Sequence, residues 1–185
     1  MDGLDGFVLA GGASRRMGSD KALLRFPGTA PMALHVATTL ASVCTRVRLV
    51  RQNKDDASFR DGIGTEFAVV SDGGGPRHPL RGIAAALFAA ATPMVVIVPC
   101  DVPFLSVGSL RKLMAASAER GAVAFDGVSV HPLIGVFPRT LALAARRAAD
   151  AGTSVLSLVA DLARVTIPGR ELANINAPSN TKRQI

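Results

Sequence analysis

Short apolar runs alternate with longer segments of helical periodicity along the whole chain. Phe7-Val8-Leu9-Ala10 is apolar throughout and ends at Gly11-Gly12, the pattern of a buried strand entering a tight loop. Val47 to Val50, Phe67 to Val70, Met94 to Val98, Ala122 to Phe125 and Val165 to Ile167 read as further strands, and Val130 to Phe137 contains another. Met32, Leu34, Val36, Ala37 and Leu40 fall at helical spacing after Pro31, and Arg81 to Ala91 is an Ala-rich helix. Ser106 is positioned to cap a helix through Glu119, Arg139 to Ala149 is helical, and Thr153 is positioned to cap a last helix to Ala160.

Strands alternating with helices, several of them apolar on both sides, predict an α/β chain with an open, mostly parallel sheet covered on both faces. The expected architecture is three-layered and Rossmann-like. It forms a single domain over 1–178, followed by a polar tail over 179–185 that is expected to fray. Ligands of such sheets sit beyond the carboxyl ends of the strands. The loops after Ala10, Val70 and Val98 therefore lie where chemistry is expected.

Composition narrows the choice. With 185 residues, 49% apolar and 19% charged, the chain is long and apolar enough for a sizeable core, and bulk disorder is excluded. The net charge is +7, but the arginines are scattered from Arg15 to Arg183, Tyr and Trp are absent, and the eight Phe form no base-stacking series. The charge fits a solvated surface or a pocket for a small polyanion better than a nucleic-acid groove. Cys44 and Cys100 make no disulfide scaffold and no metal-ligand spacing. The uncharged stretch Gly82 to Cys100 is cut by Pro93 and Pro99 into a helix-sized and a strand-sized piece, so no membrane span is expected. No basic leader precedes the first strand, and a cytoplasmic location is the expectation.

Three loops carry the candidate chemistry. In Leu9-Ala10-Gly11-Gly12-Ala13-Ser14-Arg15-Arg16-Met17-Gly18-Ser19-Asp20-Lys21 the paired glycines let the backbone approach a ligand and turn N–H groups toward phosphate oxygens. Arg15, Arg16 and Lys21 add positive charge around that turn. The spacing matches neither GxxxxGK[ST] nor GxGxxG. Asp101, in Val98-Pro99-Cys100-Asp101-Val102-Pro103, ends a buried strand, where an unpaired carboxylate is costly. It is a candidate ligand for a divalent cation, with capping or pairing with an arginine as the alternative. Asp72, before Gly73-Gly74-Gly75, either contacts a base or sugar or terminates its strand as a turn residue. Cys100 reads as a buried filler, His35 as a plain helix residue, and His78 and His131 as loop histidines with ligand contact one of two readings. Asn174-Ile175-Asn176 sets two amides on one side of an extended segment.

LAGGASRRMGSDKAL (Leu9 to Leu23), VPCDVP (Val98 to Pro103), HPLIGVF (His131 to Phe137) and NINAP (Asn174 to Pro178) together resemble the molybdenum cofactor guanylyltransferases, the MobA-type nucleotidyltransferases, in order over nearly the whole chain. The resemblance implies a nucleotidyltransferase fold and Mg2+-dependent transfer of GMP from GTP to molybdenum-molybdopterin, with release of pyrophosphate. It also implies transient contact with molybdenum-insertion proteins and with recipient molybdoenzymes, and neither nucleic acid nor membrane as partner. Leu9, Ala10, Gly11, Gly12 and Ser14 resemble the nucleotide-binding strand end and loop. Lys21 resembles the phosphate-contacting lysine, Arg16 the arginine near the triphosphate, Asp72 the nucleotide-contacting aspartate and Asp101 the metal-binding aspartate. Catalysis is thereby assigned to Arg16, Lys21 and Asp101. His131, Asn174 and Asn176 fall in segments expected near the pterin. The chain departs from the family after the second strand: where an Asn often contacts the nucleotide, it carries Arg51, with Asn53 two residues on. Both are kept as nucleotide-side candidates.

Members that use CTP tend to read LAAG, so Gly11-Gly12 matches the guanylyl form. A missing Cβ at Gly11 leaves room for a purine, a discriminator of about 1–3 kcal/mol. A cytidylyltransferase or sugar-phosphate nucleotidyltransferase on the same scaffold, and an inactive family member, are the alternatives.

Overall fold

The computed structural model describes residues 3–11, 20–25, 30–118 and 120–175. Seven strands form one sheet: β1 (Asp5–Leu9), β2 (Arg46–Arg51), β3 (Ala68–Ser71), β4 (Met94–Pro99), β5 (Ala122–Phe125), β6 (Val130–Pro138) and β7 (Ala163–Thr166). Their order is β3-β2-β1-β4-β6-β5-β7. All pairs are parallel except those of β6, which runs antiparallel to β4 and β5. The four residues between β5 and β6 are too few for a crossover, so the reversal follows from loop length.

Successive residues of the central strands enter opposite cores, as the pleat requires. Val8, Val96 and Val98 pack with Val36, Phe59, Leu110 and Leu113, whereas Phe7, Val95 and Ile97 pack with Leu80, Ile83, Leu87 and Ala145. The sheet is thus the middle of three layers. One outer layer holds α1 (Met32–Ala41), α2 (Ala57–Ile63) and α4 (Val107–Ser117). The other holds α3 (Pro79–Ala89) and α5 (Ala142–Asp150), with the single turn α6 (Val155–Leu158) beside them.

The expected elements are present, with shifted ends. Ser106 caps α4 by accepting from Ser109 N at 3.1 Å. α4 stops at Ser117, two residues before Glu119, because Ala118 turns to φ 39°. The last helix starts from Ser154, which accepts from Leu156 N, rather than from Thr153, and ends at Leu158 rather than Ala160. Arg139–Leu141 is a 3-10 turn ahead of α5, and β7 starts two residues earlier than expected, at Ala163. α2 is additional: Asp56 caps it, and only Phe59 and Ile63 are buried. Gly82 to Cys100 divides between α3 and β4, and among the described residues no helix is long and apolar enough to cross a membrane. The segment 179–185 lies outside the described residues.

At the end of the sheet remote from the strand C-termini, the buried carboxylate of Asp5 accepts from Arg46 Nε (3.1 Å), Arg48 Nη2 (3.2 Å) and Ala91 N (2.6 Å). Burial alone would raise its pKa. The bonds from Ala91 and Arg46, with the charge of both arginines, outweigh that and hold it below the ordinary value.

Candidate active site

The carboxyl ends of β1, β2 and β4 are laced together by backbone bonds from Ala10 N to Val50 O (2.8 Å) and from Cys100 N to Leu9 O (3.1 Å). Beyond them opens a cavity of about 800 Å3. Its walls include Leu9, Ala10 and Gly11 after β1, Asp72 after β3, and Pro99, Cys100 and Asp101 after β4. The three loops expected to carry chemistry therefore meet in one place. Lys21, Arg51, Asn53, His131 and Asn174 line the same cavity. Gly12, Ser14, Arg15, Arg16 and Asn176 lie outside the described residues.

Asp20 Oδ1 accepts from Ala22 N (3.0 Å) and so caps the 3-10 turn Lys21–Leu23. Ala22 is buried beneath it, and Lys21 Nζ stands 3.8 Å from Asp101 Oδ2. Burial raises the pKa of Asp101, and the Lys21 charge works against that rise. The sequence left Asp101 between a metal ligand and a capping residue or partner of an arginine. Here it pairs with Lys21. Its carbonyl also accepts from Ile175 N (2.9 Å), which brings the segment before Asn176 back to the end of β4. Ile175 is buried and Asn174 is exposed at the cavity wall.

Asp72 is a turn residue at the cavity wall. Its Oδ1 accepts from Gly74 N (3.0 Å), while Gly73, Gly74 and Gly75 have φ of 84°, 68° and 90°, a run of left-handed backbone that favours glycine. Gln52 donates to Gly75 O (2.8 Å), and Arg81 donates to Gly74 O (3.1 Å) and to Asp150 (2.6 Å), so this loop is tied from both sides. His78 caps α3 through Nδ1, which accepts from Leu80 N (3.2 Å). His131 Nε2 donates to Asp126 Oδ2 (2.9 Å), and Asp126 Oδ1 accepts from Val128 N and Ser129 N. These bonds, that from His131 first, hold the Asp126 carboxyl well below its usual range. Cys100 is inert filler: burial, with the Asp101 charge next, pushes its thiol up to about 12. His35 Nε2 donates to Pro103 O (3.0 Å), away from the cavity.

Arg51 does not stand open to the cavity. Nη1 donates to Ala10 O (3.1 Å), and Nη2 to Asp56 Oδ2 (2.7 Å) and Asp20 Oδ2 (2.6 Å). The guanidinium lies 4.1 Å from the centre of the Phe59 ring. Burial works to lower its pKa, and the bonds to Asp56 and Asp20 more than offset that. Asp56 in turn is held down to about 2, chiefly by the Arg51 bond. Asp20, Asp56, Gln52 and Asp126 were not singled out in the sequence. Asp56 had a signal, as an acidic N-cap three residues before Phe59; Asp20 and Gln52 depend on Arg51 and Gly75, remote in the chain, whereas the bonds of Asp126 to Val128, Ser129 and His131 are local.

Among the described residues, four carboxylates (Asp20, Asp56, Asp72, Asp101) and three cations (Lys21, Arg51, Arg77) line the cavity. A polyphosphate entering it needs further positive charge. The sequence offers Arg15 and Arg16 for this, and a divalent cation is the other source.

The model of the MobA-like NTP transferase domain matches residues 6–165. A molybdenum cofactor guanylyltransferase of Ralstonia nicotianae is 37% identical over 131 residues, 70% of this chain and 62% of that protein. The match thus spans less than two thirds of that relative. A probable molybdenum cofactor guanylyltransferase of Opitutus terrae is 34% identical over 98% of this chain and 94% of its own length. The crystal structure of molybdopterin-guanine dinucleotide biosynthesis protein A from Archaeoglobus fulgidus superposes with a TM-score of 0.77 at 22% identity, over 98% of this chain and 96% of that one. By sequence, by fold and by the meeting of its loops in one cavity, this chain belongs to the MobA-like NTP transferase family.

Proposed function

We propose that this protein transfers GMP from GTP to the phosphate of molybdenum-molybdopterin. In the reaction an oxygen of the acceptor phosphate bonds to the α-phosphorus of GTP, the bond from that phosphorus to the β-phosphate bridging oxygen breaks, and pyrophosphate leaves with the electron pair. The transfer is a direct displacement that needs no covalent enzyme intermediate. The observation that carries the reading is the Lys21–Asp101 pair, set at the strand ends in a cavity large enough for a nucleotide and an acceptor together.

Leu9, Ala10, Gly11 and Asp72 form the nucleoside side, with Asn53 at its margin. Lys21 neutralises the phosphates, a role the family resemblance extends to Arg16, Gly12 and Ser14. His131 and Asn174, at the cavity wall, serve the acceptor, and the resemblance assigns Asn176 to the same side. Catalysis is positioning and charge neutralisation.

The site fits Mg2+. Asp101 is a partly buried hard oxygen donor at the cavity wall, and among the described residues no group of three His, Cys, Asp or Glu forms a dedicated cage. A cation taking Asp101 as its protein ligand and completing its shell with phosphate and water matches Mg2+ chemistry. Bound there, Mg2+ supplies neutralisation of phosphate charge. Purified chain, α-labelled GTP, Mg2+ and molybdenum-molybdopterin should yield labelled dinucleotide and pyrophosphate. The same assay with CTP decides between guanylyl and cytidylyl transfer, and no product with either nucleotide refutes the proposal.

A further inference from the structure

The guanidinium of Arg51 touches both ends of the glycine-rich loop. Nη1 holds Ala10 O, where the chain leaves β1, and Nη2 holds Asp20 Oδ2, where the chain re-enters the described structure beside Lys21. A third bond, to Asp56 Oδ2, and the face of Phe59 fix the group to the start of α2. Phe59 is fully buried and the Arg51 side chain is 14% exposed, so the anchor is rigid. Asp20 passes the constraint on: the oxygen not bound by Arg51 caps the turn that presents Lys21 to Asp101.

We infer that Arg51 is a positioning residue that staples the two ends of the glycine-rich loop and thereby sets the reach of Lys21 toward the nucleotide phosphates. The inference rests on the nucleotide site proposed above. It departs from the sequence expectation in that Arg51 acts through Ala10 and Asp20, with both Nη2 hydrogens committed to carboxylates. Its chemistry is specific to arginine. Three directional bonds in one plane plus stacking on an aromatic face cannot be reproduced by the compact ammonium of lysine. Without the staple the spacing of Ala10 and Asp20 must be fixed by the nucleotide itself, at an entropic cost charged to nucleotide binding.

The test is a double-mutant cycle on Mg-GTP affinity, read by calorimetry, with Arg51→Lys, Asp20→Asn and the double variant, alongside steady-state kinetics. Arg51→Lys should weaken Mg-GTP binding about tenfold or more, and Asp20→Asn similarly. The double variant should be no worse than about the weaker single, since both break one contact. At saturating GTP the KM for the acceptor should stay within about threefold of the parent while kcat falls, the split expected for a group that acts through Lys21 on the nucleotide phosphates and not on the acceptor. Unchanged Mg-GTP affinity in Arg51→Lys overturns the inference, as do effects of the two substitutions that multiply in full, which would mean that Arg51 contacts the nucleotide independently of Asp20. Should Arg51→Lys fail to fold, Asp20→Asn decides alone: parental affinity overturns the inference. Failure of the unsubstituted protein to bind Mg-GTP strikes the nucleotide site itself and is thus distinguishable.

Discussion

Replacing Lys21 by methionine keeps the length of the side chain and removes its charge. In the native protein that charge lies 3.8 Å from Asp101 Oδ2, with the two side chains 26% and 21% exposed. At this separation a unit pair is worth about 1 kcal/mol in bulk water and about 4 kcal/mol at an effective dielectric constant of 20, so the partly buried pair falls between these bounds. Burial already raises the Asp101 pKa above 3.8. Ionising this group therefore works against folding as pH rises, and Lys21 offsets that penalty. Lys21→Met should thus cost about 1–4 kcal/mol of stability near pH 8, where Asp101 is charged. The cost should shrink as the pH is lowered to about 3 and Asp101, whose pKa is raised, takes up its proton. In an Asp101→Asn background the substitution should cost little at either pH. Urea unfolding of the four proteins at both pH values measures all these terms. An equal cost at both pH values, or in both backgrounds, would refute the coupling. In the transfer assay, Lys21→Ala should lower the rate by several orders of magnitude, because the same charge is assigned to the phosphates.

Three further outcomes follow from other parts of the structure. Asp5→Asn leaves Arg46 and Arg48 without their shared carboxylate and should cost about 3–5 kcal/mol in urea unfolding at neutral pH. Since the folded-state pKa of Asp5 is lowered, its contribution is present above the ordinary carboxylate range and is lost on acidification, so the variant and parent should converge toward pH 3. Gly135→Ala places a Cβ 2.3 Å from the backbone carbonyl of Ala122, where the β5–β6 pair must move apart; a thermal melt should show about 1–3 kcal/mol of destabilisation. Among the described residues Gly11→Ala meets Gln52 N at 3.7 Å and Arg51 Cα at 3.9 Å, ordinary contacts, so stability should change by less than about 0.5 kcal/mol. Its GTP-over-CTP preference should fall by about 1–3 kcal/mol, measured as a ratio of kcat/KM values.

The layers of the fold were legible because their signal is local. Apolar runs such as Phe7 to Ala10 and Met94 to Val98 are buried on both faces, and each became a central strand. The loops following these runs and Val70 were legible as a site because parallel strands bring their carboxyl ends to one edge. α2 escaped because its seven residues include Gly62 and bury only Phe59 and Ile63, too few for a helical stripe. The antiparallel β6 was present in the shortness of the Asp126 to Ser129 connection, a signal outweighed by the parallel pattern elsewhere. The role of Arg51 was illegible because its partners lie 41, 31 and 5 residues away and meet only after β1, β2 and α2 have packed. For the same reason the pairing of Asp101 with Lys21, 80 residues apart, was not legible; the sequence offered capping or an arginine partner instead.

The account turns on a nucleoside triphosphate seated over the loop that follows β1, its phosphates against Lys21. Calorimetric titration of the purified protein with GTP, with and without Mg2+, tests this most directly. The account predicts one saturable Mg2+-dependent site per chain that is abolished by Asp101→Ala and strongly weakened by Lys21→Ala, both variants remaining folded by circular dichroism. Binding left intact in those two variants, or no heat with GTP or CTP in the presence of Mg2+, would contradict it.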